Sequence, residues 1–176
     1  MENELSSATD EFEPTSAGDR NQRLQQIAEQ ARQLTVELVT LMGIGEAEVE
    51  LVGTSDREIS LEISAHNAGM LIGRHGETLD ALQLIVAIGA NKGFREGARI
   101  VLDTEGYRNR HVKMLEDMAR SYASKVKERG QELVVEDLKA YERRIIHMTL
   151  RDEPDVETYS EGDGTDRVLV ISPVTK

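Results

Sequence analysis

The chain of 176 residues contains no cysteine and no tryptophan. The first absence excludes disulfide bridges, thiolate nucleophiles and Cys-ligated zinc. With only two Phe and four Tyr besides, there are too few rings for a base-stacking platform on a sheet. No apolar run approaches the roughly 20 residues that a membrane-spanning helix needs. The opening MENELSSATDEFEPTSAGD has neither the basic nor the apolar region of an export signal. A cytoplasmic location without a membrane span is the expectation. Basic residues are also scarce, 21 Lys and Arg against 33 Asp and Glu, for a net charge of −12. That total excludes a uniformly basic surface.

The distribution of charge says more than its sum. Residues 71–130 carry eleven bases against eight acids, whereas each segment around them is net acidic. Residues 1–19 are polar, acidic and poor in apolar groups, which reads as a disordered tail. From Asp19, a plausible N-cap, Leu24, Ile27, Ala31, Leu34, Leu38 and Leu41 recur at helical steps, up to a stop at Gly43. Two alternating strands follow around Val49 and Leu51 and around Ile59, Leu61 and Ile63, joined by a polar turn at 54–57. Asn67 begins a short helix, residues 77–91 make another, and ARIVLDT reads as a third strand.

The second part of the chain reads as a helix over 107–129 ended by Gly130, a strand at 133–135 and a helix over 136–150. The first helix takes Met114, Leu115, Met118, Tyr122 and Val126 as its apolar stripe. Lys113, Arg120 and Lys127 lie seven apart on the other side. Two strands, VETYS and RVLVIS, close the chain. The pattern is α+β in two domains, 20–105 and 106–176, behind the tail.

Between two apolar segments stands GMLIGRHGETLDALQ, with three glycines in eight residues. Gly73 and Gly76 suit a turn with positive φ, or a backbone that another molecule approaches closely. The helix after them presents free N–H groups and a positive dipole end, which favour phosphate. Arg74 and His75 at the tip add charge and hydrogen bonds. A tight helix–helix turn without a ligand satisfies the same residues. Nucleotide-binding glycine motifs are absent: no GxGxxG follows a strand, and no GxxxxGK[ST] is present.

The order helix, strand, strand, short helix, GxxG, helix, strand resembles a type II K-homology domain. In such domains the loop clamps the backbone of about four nucleotides. An adjacent apolar groove then receives the bases; Met70, Ile72, Leu79 and Leu82 are its candidate wall, with plain core as the alternative for some of them. A second site lies in YERRIIHMTL, where Arg143 and His147 are four apart and share one helix face. On spacing alone a surface pair, with His147 partly packed, is the plainer reading, and Arg144 could point either way. The Arg-x-x-x-His pattern nevertheless resembles the signature of the R-three-H domain, a small α/β domain that binds single-stranded nucleic acid.

A K-homology domain followed directly by an R-three-H domain is similar to the Jag family, also called SpoIIIJ-associated protein or KhpB. The resemblance implies a bacterial RNA-binding protein linked to cell elongation and division, with single-stranded RNA and a small single-K-homology protein as partners. Residues 73–76, Arg143 and His147 become its expected RNA contacts, with Lys113, Arg120 and Lys127 as weaker ones. Many members carry an N-terminal Jag domain, which this chain is expected to lack. An adaptor, using the K-homology fold for self-association or for pairing with a small paralogue, is the alternative.

Catalysis has little behind it. Ser124 and Lys127 match SxxK without a companion motif, and Ser124 falls mid-helix. His66, His75, His111 and His147 never stand at metal-ligand spacing. The adjacent pairs Glu116/Asp117 and Glu136/Asp137 point to different helix faces and read as solvated. Neither enzyme activity nor a cofactor or metal is expected.

Overall fold

A computed structural model of the chain describes residues 17–55 and 57–174, so the tail expectation for residues 1–16 lies outside it. The chain divides into two compact units, Met1–Glu105 and Gly106–Lys176. Both mix helices with a three-stranded sheet, an α+β architecture.

Unit 1 runs α1 (Ala17–Leu41), β1 (Ala47–Thr54), β2 (Glu58–Ala65), α2 (Ala68–Ile72), α3 (Glu77–Ala90) and β3 (Arg99–Asp103). Helix α1 already includes residues 17–19, which the sequence assigned to the tail. Asp19 sits inside its first turn, where a carboxylate complements the helix dipole, rather than at the cap. The sheet order is β1-β2-β3, with β1 antiparallel and β3 parallel to β2. Strand β1 carries a bulge between Leu51 and Gly53, so Val52 has no partner across the ladder.

The apolar stripe of α1 differs from the one read in the sequence. Leu24, Ile27, Ala28, Ala31, Thr35 and Val39 are buried, whereas Leu41 is 83% exposed. Thr35 enters the core because its hydroxyl donates to the Ala31 carbonyl at 2.6 Å. Leu34 lies to the side, so close to Gly89 of α3 that a Cβ there would overlap it. The α3–β3 connection is tied by the Asn91 amide, which donates to the Ala87 and Ala98 carbonyls and accepts from Ala98 N–H.

Unit 2 runs α4 (Tyr107–Arg129), β4 (Leu133–Val135), α5 (Ala140–Leu150), β5 (Val156–Glu161) and β6 (Val168–Pro173). Its antiparallel sheet has β6 in the centre, order β4-β6-β5. The core gathers Leu115, Ala119, Ala123, Val126, Ile146, Leu150, Leu169 and Ile171. Two sequence readings shift. Met114 is half exposed, because the buried stripe of α4 is His111, Leu115, Ala119, Ala123 and Val126. Helix α5 starts at Ala140, four residues late, because Asp137 takes a positive φ of 55° that breaks the helical path. The Glu142 carboxylate then folds back to accept the Lys139 N–H at 2.7 Å, closing the first turn.

Candidate nucleic-acid interface

Helix α2 ends when the Gly73 N–H reaches the Gly69 carbonyl at 3.0 Å. Gly73 then adopts φ 69°, ψ −167°, a region essentially reserved for glycine. His75 follows at φ 50° and buried Gly76 at φ 75°. Three of four consecutive residues thus hold left-handed φ, turning the chain sharply into α3. The Arg74 side chain is left exposed at the tip, with no hydrogen-bond or ion-pair partner among the described residues. His75 is also exposed.

The structure separates the candidate wall residues. Met70 is exposed and Ile72 half-buried, both beside the turn. Leu79 and Leu82 are 0% and 3% exposed, so they are core and cannot line an open groove as expected. Their i, i+3 spacing fits the face of α3 that packs inward as well as it fits a groove. Glu77 and Asp80 place two carboxylates in the first turn of α3. They already answer its dipole, which leaves Arg74 as the main attraction for an anion there.

In unit 2, Arg143 and His147 both reach from α5 toward the β5–β6 hairpin. The Arg143 guanidinium donates from Nη1 to the Leu138 and Arg167 carbonyls at 2.6 and 3.3 Å. His147 Nδ1 lies 2.5 Å from Thr158 Oγ1. Each side chain is therefore held in place, while the guanidinium, with five N–H groups, keeps donors to spare and the imidazole keeps its second ring nitrogen.

The weaker candidates divide further. Lys113 is exposed on α4. Arg120 is clasped by Asp117 at 3.2 Å and Glu116 at 3.7 Å. Those two acids, read as merely solvated, both reach Arg120 because i+3 and i+4 neighbours share a helix face. Lys127 bridges Glu153 at 2.6 Å and Asp155 at 3.8 Å. The hydrogen bond to Glu153 raises its pKa above the usual lysine value. Arg120 and Lys127 would have to leave these partners to meet a phosphate.

Comparison with known proteins places both halves. Residues 26–102 match the KhpA/KhpB KH domain family and residues 113–173 match the R-three-H domain family. The RNA-binding protein KhpB of Clostridium symbiosum is 38% identical over 118 residues, covering 67% of this chain and 53% of that protein. KhpB of Bacillus subtilis strain 168 is 32% identical over 123 residues, 69% of this chain and 59% of the relative. KhpB of Lactiplantibacillus plantarum is 31% identical over 121 residues, 69% and 38% respectively. The chain belongs to the KhpB (Jag) family. It spans about half the length of the KhpB proteins it matches.

Sequence reasoning missed one feature in unit 2 of this KhpB-family chain. His111 Nε2 lies 2.6 Å from Glu142 Oε1, with the two side chains 6% and 1% exposed. Tyr107 stacks on the His111 ring at 5.3 Å, and the Tyr141 hydroxyl donates to Glu142 at 3.3 Å. Glu142 thereby fastens the first turn of α5, directly before Arg143. The signal was present: His111 is in phase with Leu115, Ala119 and Ala123, a stripe hidden by its alanines. Among the described residues, no group of His, Asp and Glu could hold a metal ion.

Proposed function

We propose that this chain binds single-stranded RNA, with backbone phosphates held at residues 73–76 of unit 1 and at Arg143 and His147 of unit 2. It acts as a binding protein rather than an enzyme, in the cytoplasm, as a post-transcriptional regulator linked to cell elongation and division. The observation that carries the reading is Arg74, an unpartnered guanidinium on a turn of left-handed residues. Such a turn exposes backbone for close approach, and the relatives are named as RNA-binding proteins. Two modest sites on one chain add avidity when one strand reaches both.

The test is binding to a mixed single-stranded RNA pool at low and moderate salt, comparing wild type with Arg74→Asp/His75→Asp. Asp is among the residues best suited to positive φ, so position 75 tolerates it. Collapse of binding with an unchanged circular dichroism spectrum supports the phosphate clamp. Equal binding by both proteins, or by neither, removes it.

A second reading has its own observation. Helix α3 exposes Leu84, Ile85 and Ile88, and Ile88 is 67% exposed. Such a face suits an adaptor that pairs with a second copy or with a small single-KH protein. Light scattering across a concentration series should show a dimer that Ile88→Lys dissociates; a monomer at all concentrations removes self-association.

A further inference from the structure

Helices α4 and α5 leave between them a cleft of about 360 Å³ that neither proposed phosphate site uses. Val112, Ile145 and Met148 give it apolar lining, and Arg144, Arg120, Glu116 and Thr149 supply its polar lining. Arg144 is exposed and has no hydrogen-bond or ion-pair partner among the described residues. The volume falls at the small end of ligand pockets, roughly 300 Å³ upward. A wholly apolar occupant would cover the Arg144 guanidinium without matching its charge. A bare inorganic anion would leave the apolar walls wet.

We propose that this cleft takes one nucleotide unit, its base against Val112, Ile145 and Met148 and its phosphate on Arg144. A nucleotide combines a flat apolar face with an anion, and a guanidinium both pairs with phosphate and stacks on bases. Glu116 adds an acceptor for a base N–H, and its charge limits the cleft to a single phosphate. Arg120, held by Glu116 and Asp117, supplies a fixed cation rather than a free one. Arg143 and Arg144 are successive on α5 and so about 100° apart around it. A strand held at Arg143 and His147 therefore enters the cleft by crossing the helix. The inference deepens the RNA-binding reading and rests on it. A free nucleoside monophosphate offers the same chemistry as a nucleotide within a strand.

The experiment uses the full chain, a 4-thiouridine RNA pool for photo-crosslinking, and Arg144→Gln beside Arg129→Gln as a charge-matched control. Arg129 lies in the last turn of α4, away from the cleft. The expected result is crosslinks to peptides holding Val112 or Met148, with affinity reduced about tenfold by Arg144→Gln. Arg129→Gln should change it less than about twofold, as a screened surface charge does. Nucleoside 5′-monophosphates are titrated separately, with NMR shifts followed along α4 and α5. Shifts at the cleft without RNA crosslinks there support the nucleotide assignment with a free nucleotide as its source. Equal losses in the two variants, or neither crosslinks nor shifts at the cleft, overturn the proposal. If wild type still binds the RNA pool, the RNA-binding reading survives that outcome; if it does not, both fail.

Discussion

A Cβ on Gly73 would lie 2.8 Å from Thr78 Cβ and overlap that residue's hydroxyl oxygen. The start of α3 thus leaves room for a hydrogen at position 73 and nothing larger. The glycine that opens the turn is required by its own chain before any ligand arrives. Loss of binding in a Gly73 variant would report folding, which is why the charge at Arg74 is the better probe.

Gly73→Ala should be destabilised by about 2–3 kcal/mol, from the strained backbone region and the contact with Thr78 together. Urea denaturation checks this. A midpoint within error of wild type would show that the turn relaxes and that the contact means nothing.

Leu79→Ala and Met70→Ala separate core from surface in unit 1. Leu79→Ala should cost about 2–5 kcal/mol, as buried Leu truncations do. Met70→Ala, at a side chain 56% exposed, should leave stability nearly unchanged and weaken RNA binding. Equal thermal shifts in the two variants would contradict this division.

Glu142→Ala should cost about 1–3 kcal/mol, because it leaves buried His111 without its partner and removes the acceptor of the half-buried Lys139 N–H. Combining it with His111→Ala should recover part of the loss, since contacting residues are not additive. Strict additivity in a double-mutant cycle would mean that the two side chains do not support each other.

The Lys127 pair gives a pH dependence with a definite sign. Its folded pKa is raised, first by the hydrogen bond to Glu153. The associated stabilisation is therefore complete below the unfolded lysine value and lost as pH rises through the higher folded value. Lys127→Met should melt slightly below wild type at neutral pH. The difference should close as pH climbs past the usual 10.5 and through the raised value. Because the pair is exposed, added salt should shrink the gap at any pH. A gap that widens at alkaline pH would contradict the assignment.

Each α-helix and strand named above was legible as a period or a breaker in the sequence, though α5 starts later than its pattern suggested, and α4 ends at Gly130 with the helical φ reversed as a glycine stop requires. What the sequence concealed was which side of each helix faces inward. Thr35 looked polar, yet a bond to its own helix lets it pack, which rotates the buried stripe away from Leu38 and Leu41. The alanines of α4 looked neutral, yet they are where the sheet and α5 approach. Leu79 and Leu82 looked like groove residues because apolar spacing does not distinguish a wall from a core. The resemblance placed Arg143 and His147, but their anchoring on backbone carbonyls and Thr158 comes from residues up to 24 positions away.

The bulge at Val52 has a consequence for how copies of the chain meet. Strand β1 is the outer strand of its sheet, and Leu51 and Val52 stand exposed along it. A straight edge with such residues would template the addition of a strand from another molecule, the first step of amyloid-like stacking. The unpaired residue bends and twists that edge out of register. On the opposite edge, the Gln83 side chain occupies the Leu102 N–H at 3.0 Å. One inserted residue and one glutamine thus guard the two open margins of the sheet against aggregation.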